Sequence, residues 1–256
     1  MKIYYGFDSL PAFKSPIVTV GSYDGVHGGH RVILKHICKL ARQNRGESVV
    51  VTFAPHPRIV LGKAEGLKLL NTLEEKIVLL DEVGIDNLIV APFTEEFSRL
   101  SSEEYVRDYL VGKIGVKTLV VGYNHHFGHN KDGDFRFLQT LQSQYRFEVC
   151  EIPRQQIDDE KVSSTVVRRL ISEGQMAHAT RLLKRHYMLI ISADDKGKFS
   201  PTDQYKLLPP NGRYRVRIEG QGSAILVISS NGVQLDFASS FNLGKALQIG
   251  FIERVG

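Results

Sequence analysis

The sequence predicts a doubly wound parallel α/β domain followed by a small antiparallel β domain. Three observations carry this reading. Short β-branched runs alternate with helix-period segments from Ile17 to about Arg185. A glycine-rich turn joins the first strong strand to the first helix. After His186 the helical period gives way to closely spaced β-prone runs. The chain therefore divides into domains 1–186 and 187–256, with a strand order that the pattern does not fix.

Lys2 to Tyr5 reads as an edge strand and Ile17-Val18-Thr19-Val20 as a buried one. Gly21 ends that run, and the turn-rich stretch Ser22 to Gly29 follows. From His30 onward, Val32, Ile33, Ile37, Leu40 and Ala41 fall on one side of a helix. A strand, a glycine loop and a helix in this order point free backbone N–H groups and a helix N-terminus at whatever lies over the loop. A phosphate is the natural occupant. His27 and His30 sit in this loop as H-x-G-H, and each ring can donate to a phosphate oxygen. The spacing matches neither a Walker loop nor the dinucleotide GxGxxG. A zinc site lacks a third ligand at a telling spacing.

Ser48 to Phe53 is a second strong strand. It runs into Pro55-His56-Pro57, where two prolines fix an extended turn at its carboxyl end, the end at which open parallel sheets bind ligands. Taken alone, that turn could equally be a rigid loop. Thr72 to Val83 reads as a helix with a Thr72/Glu75 capping box, and Asn87 to Ala91 as a strand. Ser101 to Ile114 is predicted helical with Glu104 placed for a second box, and Lys117 to Val121 is the next strand. It ends in a polar loop, residues 122–134, whose residues on sequence alone suit a solvated turn as well as a binding loop. A helix over Asp134 to Gln144 and a strand over Phe147 to Ile152 follow. Ser163, Ser164 and Thr165 then precede an apolar-periodic run that carries Arg168 one turn on. One hydroxyl suffices for a cap. Three hydroxyls and an arginine suit an anion at a helix N-terminus. Met176 to Arg185 closes the first domain.

The 256 residues carry a net charge of +5 without a basic block beyond pairs such as Arg168-Arg169, which suits polyanionic small molecules and argues against nucleic acid. The two cysteines, Cys38 and Cys150, lie in apolar-patterned elements and read as buried free thiols in a reducing compartment. No apolar run approaches membrane-span length and no signal peptide is recognisable, so the expected location is cytoplasmic, with no membrane partner. Oligomeric state is not legible.

Several of these stretches resemble one family. GSYDGVHGGH is similar to the G-x-F-D-G-V-H-x-G-H signature of the H-x-G-H nucleotidylyltransferases, in the form found in prokaryotic bifunctional riboflavin kinase/FAD synthetases. TFAPHP resembles their T-F-x-P-H-P segment, which borders the flavin. Gly122, Asn124, Phe127, Gly128 and Gly133 match their G-x-D/N-x-x-F-G-x-x-x-x-G, and VSSTVVR resembles I-S-S-T-x-x-R. LNTLEEKIVLLDEVGID and FSRLSSEEYVRDYL are also similar. The resemblance implies a Rossmann-like sheet of the nucleotidylyltransferase type over residues 1–186. Three positions depart from the pattern. Tyr23 replaces Phe, Asn124 stands where Asp is frequent, and His126 stands where Arg is frequent.

In the second domain, β-prone runs occur at Met188 to Ser192, Arg213 to Glu219, Ala224 to Ile228, Val233 to Phe237 and Ala246 to Ile252, with Asn231-Gly232 as a hairpin signal. KLLPPNGRYRVRI resembles the K-L-L-P-x-x-G-V-Y-x-V of the family's riboflavin kinase. The P-T-A-N motif is Pro201-Thr202-Asp203-Gln204 here, and the glycine-rich loop before it is reduced to Asp194 to Lys198. The domain is expected to be a shortened remnant without kinase activity, kept for stability or interaction.

The resemblance implies transfer of AMP from ATP to FMN, giving FAD and pyrophosphate, with Mg2+ accompanying ATP and no protein ligand to the metal identified. It implies His27, His30 and Arg168 as the catalytic set, and Gly21, Tyr23, Asp24, Gly29, Ser163, Ser164 and Thr165 as nucleotide-binding. Pro55, His56, Pro57, Asn124 and Phe127 are the implied flavin-binding residues. Two competitors remain at this point: an H-x-G-H nucleotidylyltransferase with another acceptor, and a flavin- or nucleotide-binding paralogue that has lost turnover.

Overall fold

The computed structural model describes residues 1–123, 125–153, 156–157 (backbone), 160–193, 199–236 and 246–255. By packing, the chain forms two units. The first comprises Met1–Tyr23, Gly29–Leu67 and Leu79–Gln155, the second Asp24–Gly28, Lys68–Val78 and Gln156–Gly256.

The sheet of the first unit is built from β1 (Lys2–Tyr5), β2 (Ile17–Val20), β3 (Ser48–Ala54), β4 (Asn87–Pro92), β5 (Thr118–Gly122) and β6 (Glu148–Ile152). All pairings are parallel, in the order β1-β4-β3-β2-β5-β6. The chain winds outward from β2 through β3 to β4, then crosses back to β5 beside β2. That reversal opens a crevice at the carboxyl ends of β2 and β5. Ile17–Val20, Val49–Val51 and Leu119–Val121 are buried, as strands covered on both faces require.

Between the strands in sequence come α1 (Gly28–Gln43), the single turn α2 (Pro57–Val60), α3 (Leu73–Val83), whose residues through Val78 belong to the second unit, and the short α4 (Glu95–Ser98) and α5 (Ser102–Glu104). The last helix of this unit is α6 (Phe135–Tyr145), N-capped by Asp134. Both predicted capping boxes form. Thr72 and Glu75 exchange bonds of 3.1 and 3.2 Å, and Ser101 and Glu104 bonds of 2.9 and 3.2 Å. The helix predicted over Ser101 to Ile114 is α-helical only in α5. From Tyr105 to Lys113 it widens to a π-helix, a winding that periodicity cannot distinguish from the α form. Cys38 is buried as expected, but Cys150 is only half-buried, because β6 is an edge strand.

The second unit holds β7 (Gln156–Ile157), β8 (Glu160–Lys161), α7 (Ser164–Ser172) and α8 (Met176–Leu183). Its main sheet comprises β9 (Tyr187–Ala193), β10 (Phe199–Pro201), β11 (Gly212–Ile218), β12 (Gly222–Ser229), β13 (Gly232–Asp236) and β14 (Ala246–Val255). The order is β10-β9-β14-β11-β12-β13, antiparallel throughout. The edge strands β10 and β13 approach each other, so the sheet curls toward a barrel. In β11 the arginines 213, 215 and 217 face out while Tyr214, Val216 and Ile218 are buried. One core joins this sheet to α7 and α8, with Val167, Leu170, Ile171, Leu182, Leu183, Tyr187, Tyr214 and Phe251 buried together. Each such side chain contributes about 1.5–3 kcal/mol by leaving water. The predicted hairpin forms one residue earlier than expected. Ser229 pairs with Gly232, so Ser230 and Asn231 make the turn, and Gly232 enters β13 with a φ of 109°. Phe237, the expected end of that strand, lies outside the described residues, as does the reduced loop Asp194 to Lys198.

Candidate active site

At the carboxyl ends of β2, β3, β4 and β5 the first unit contains a cavity of about 750 Å³. Gly21, Tyr23, His30, Pro57 and Phe127 all line it. One wall is aromatic. Ring centroids run Phe53–Phe93 at 5.6 Å, Phe93–Phe97 at 5.7 Å, Phe97–Tyr105 at 5.7 Å and Tyr105–Phe127 at 6.0 Å. His125 stacks on Phe127 at 5.5 Å. Burial, and secondarily the charge of His126, lowers the pKa of His125 to about 4, so the ring is neutral near pH 7. Such a wall offers flat apolar faces to a planar ring system.

The loop after β5 is held by Ser102, whose hydroxyl bonds the Phe127 carbonyl oxygen at 3.2 Å and the Asp132 carboxylate. Phe127 and Gly133 pair across the loop. The glycines of this loop have a steric reason. Gly128 has a φ of 77°, and a Cβ there would collide with Ser102. A Cβ at Gly133 would lie 2.7 Å from the Phe127 ring.

Tyr23, which also lines the cavity, is buried with a φ of 46°. Its hydroxyl lies 2.7 Å from Thr19 Oγ1, which itself donates to the Val120 carbonyl oxygen. The His30 ring meets the Tyr23 ring edge-on at 5.2 Å. The backbone remains unusual beyond Tyr23, with φ of 91° at Gly25 and 38° at Val26, a concentration of strain typical of functional loops. His27 directly precedes α1, and Gly29 and His30 form its first turn. His27 is 5% exposed, and burial pulls its pKa down to about 4.

In the second unit, the segment Asp24–Gly28 is tied down by its own network. Asp24 Oδ1 accepts from the backbone N–H groups of Leu70 at 2.8 Å and Asn71 at 3.2 Å. Arg168 Nη2 donates to Asp24 Oδ2 at 2.7 Å, and Arg168 Nε to the Lys68 carbonyl oxygen at 2.8 Å. Ser164 Oγ donates to the Asp24 carbonyl oxygen at 2.7 Å, and Arg185 Nη2 to that of Gly25 at 2.9 Å. A Cβ at Gly25 would lie 2.7 Å from the Leu70 side chain, so the glycine permits this close approach. Lys76 is buried. Desolvation lowers its pKa to about 8, against the opposing attraction of Asp24.

Within the first unit, then, Gly21, Tyr23, His30, Pro57 and Phe127 share one cavity. Within the second, Asp24, Ser164 and Arg168 share one network. Ser163 is spent as the N-cap of α7, accepting from Val166 N–H at 3.3 Å, and Thr165 is exposed. Pro55 follows a cis peptide bond, and His56 Nδ1 caps α2 by accepting from Arg58 N–H at 3.2 Å. Neither residue is among those that line the cavity. Asn124 lies outside the described residues.

A family model described as FAD synthetase matches residues 11–166. The chain belongs to the FAD synthetase family. It is 32% identical to a bifunctional riboflavin kinase/FMN adenylyltransferase of Listeria monocytogenes, over 86% of this chain and 73% of that one. An Escherichia coli K12 protein of the same description is 29% identical, over 87% and 74%. A protein of Listeria monocytogenes described as FAD synthetase is 30% identical, over 79% and 81%. A crystal structure described as a macrolide-efflux protein from Streptococcus pneumoniae has the same fold, with a TM-score of 0.83 over 99% of this chain and 90% of that one, at 21% identity.

Against the FAD synthetase pattern, the change to Tyr23 is accommodated because Thr19 supplies a partner for the added hydroxyl. Phe53, Phe93, Phe97, Tyr105, His125 and Ser102 were not singled out from the sequence. For Phe53, Phe93 and His125 the available signal was their place at or just beyond a strand end, whereas Phe97 and Tyr105 lie in helices and carried none. For Ser102 there was none, because it reads as part of a helix cap.

Proposed function

We propose that this chain transfers AMP from ATP to FMN, giving FAD and pyrophosphate. The observation that carries the reading is the aromatic-walled cavity at the sheet's carboxyl ends, in a chain of the FAD synthetase family. Its rings and its volume suit an isoalloxazine, with Phe127 and Pro57 as flavin-side residues; Pro55, His56 and Asn124 are assigned there on the motif alone. A phosphate oxygen of FMN attacks the α-phosphorus of ATP. The bond from that phosphorus to the bridging oxygen breaks, and pyrophosphate leaves. No covalent enzyme intermediate is needed, so catalysis is positioning and charge stabilisation.

His27 and His30 contact the ATP phosphates, beside the N–H groups of Gly29 and the first turn of α1. His27, neutral near pH 7, donates from one ring nitrogen. Gly21 and Tyr23 border the nucleotide. Arg168 serves the β- and γ-phosphates with the guanidinium N–H groups not engaged by Asp24 and Lys68, and Ser163, Ser164 and Thr165 mark the same helix N-terminus. Among the described residues no group of three His, Cys, Asp or Glu side chains is placed to hold a metal ion. Both Asp24 carboxylate oxygens are occupied. Magnesium is proposed to accompany ATP, held by the phosphates and water.

The functional division follows residues 1–186 and 187–256, the second part lacking riboflavin kinase activity. No helix among the described residues is long and apolar enough to cross a membrane. The reading places the enzyme in the cytoplasm with ATP and FMN. The test gives purified protein MgATP with FMN in one tube and riboflavin in another, and separates products by chromatography. FAD from FMN alone is expected. No FAD from FMN refutes the transferase, and FMN or FAD from riboflavin refutes the inactive kinase. His30→Ala is expected to cut turnover severely while the chain stays folded.

A further inference from the structure

Lys206 opens the KLLP stretch that resembles a kinase motif, yet its side chain serves another purpose. It is fully buried, and its ammonium donates to Glu75 Oε2 at 2.5 Å, to the Leu70 carbonyl oxygen at 2.8 Å and to the Met188 carbonyl oxygen at 2.6 Å. Those three acceptors match its three N–H donors, which leaves none for a ligand. It also sits 4.3 Å from the centre of the Tyr187 ring. Glu75 is equally buried. Its other oxygen accepts from Ile190 N–H at 2.9 Å, and Oε2 also accepts from Thr72 N–H at 3.1 Å.

The backbone around Lys206 grips the same segment. Leu69 N–H donates to the Tyr205 carbonyl oxygen at 2.7 Å, and Leu207 N–H to that of Leu69 at 2.8 Å, a parallel bridge. The next two residues, Leu70 and Asn71, turn their N–H groups to Asp24 Oδ1. Leu70 thus holds Lys206 by its carbonyl and Asp24 by its amide. Asp24 opens the five-residue segment Asp24–Gly28 that contains His27. Every link in this route lies within the second unit.

We infer that Lys206 is a positioning residue for nucleotidyl transfer, fixing through Leu70 and Glu75 the segment that holds Asp24 and the loop bearing His27. The inference rests on the transferase reading above and extends it. The C-terminal β domain supplies a part that FAD formation needs, and the KLLP lysine is conscripted for that task. A buried charge pair is a poor source of net stability but a good device for fixing one arrangement, since its hydrogen bonds admit little displacement.

The test measures kcat, the KM for MgATP, the KM for FMN and the melting temperature of the full chain. The variants are Lys206→Met and the double Lys206→Met/Glu75→Gln, which leaves no unpaired buried charge. Arg213→Met, which removes an exposed ion pair to Asp236, is the control. Assays run well below each melting temperature. Expected is a tenfold or greater fall in kcat/KM for MgATP in the double variant, with the KM for FMN within twofold of wild type and the control unchanged. If the single variant does not fold, the double decides. A folded double variant with kcat and both KM values within twofold of wild type overturns the inference. So does a double variant that cannot fold, because the pair then serves the fold alone. A wild-type chain that makes no FAD refutes the transferase reading, and this inference with it. A wild type that makes FAD beside an unaltered double variant refutes only the inference.

Discussion

Arg168 Nη2 and Asp24 Oδ2 lie 2.7 Å apart, and the two residues are 144 positions apart in sequence. The aspartate is 9% exposed at its side chain and the arginine 33%. Within the second unit the Asp24–Gly28 segment and the SSTxxR helix therefore meet through a charge pair, and Arg168 is also a support for that segment. Arg168→Met is expected to lower kcat/KM for MgATP by at least tenfold. It should cost only about 1–2 kcal/mol of stability, since the pair is partly solvated and Asp24 retains its backbone donors and the nearby charge of Lys76. Steady-state kinetics beside urea unfolding would check this. Full activity in a destabilised variant would leave Arg168 with a structural role only.

Asp24 carries more of the load. Asp24→Ala removes the acceptor for two buried N–H groups and takes one partner from the Arg168 guanidinium, which keeps its bond to Lys68 and its solvent exposure. Each buried unsatisfied group costs about 1–3 kcal/mol. The expected result is a larger loss of stability than for Arg168→Met and a matching collapse of turnover. Equal stabilities for the two variants would contradict the unequal sharing of bonds described here.

How far could the sequence anticipate this? The alternation of period marked the strands of the first sheet almost residue for residue; for β2, β3 and β5 the reason is that strands buried on both faces are written as β-branched runs. The strand-to-helix turn from Gly21 to His30 was legible, because glycines between a β-branched run and a helix-period run mark such a junction. The links between distant segments were not. Nothing about Lys206 distinguishes a buried lysine with three acceptors from a kinase remnant, and nothing about Asp24 names Leu70 and Asn71 as its partners. Tertiary contacts decide those roles. The aromatic wall was missed for a related reason: Phe53, Phe93 and Phe97 look like core residues until the sheet order places them around one cavity.

Ser102 is the buried support of the loop after β5. Ser102→Ala removes its bonds to the Phe127 carbonyl and to Asp132, at a cost of about 1–2 kcal/mol. Phe127 faces the cavity, so the KM for FMN is expected to rise severalfold while the KM for MgATP holds. Gly128→Ala should act in the same direction and more strongly, since it adds a collision with Ser102 to an unfavourable φ. A rise in the MgATP KM alone would move the flavin to another place.

His27 makes a prediction about acid. Its folded pKa of about 4 lies below its ordinary value of 6.5, through burial. Between these values the unfolded chain binds a proton that the folded chain refuses, so stability rises with pH across that window. The contribution is fully present above about pH 6.5 and is lost as pH falls toward 4, to a limit of about 3 kcal/mol. His27→Asn removes this one titration while leaving the carboxylates and the other histidines in place. The stability gap between wild type and His27→Asn, measured by urea unfolding at pH 7.5 and at pH 5, should therefore shift in favour of the variant at the lower pH. The shift expected at pH 5 is about half the limiting value or more, because that pH lies well inside the window. A gap that stays constant between the two pH values would mean that His27 takes its proton as readily when folded as when unfolded. It would then already be charged in mild acid, and its proposed part as a neutral donor to the ATP phosphates would be confined to higher pH.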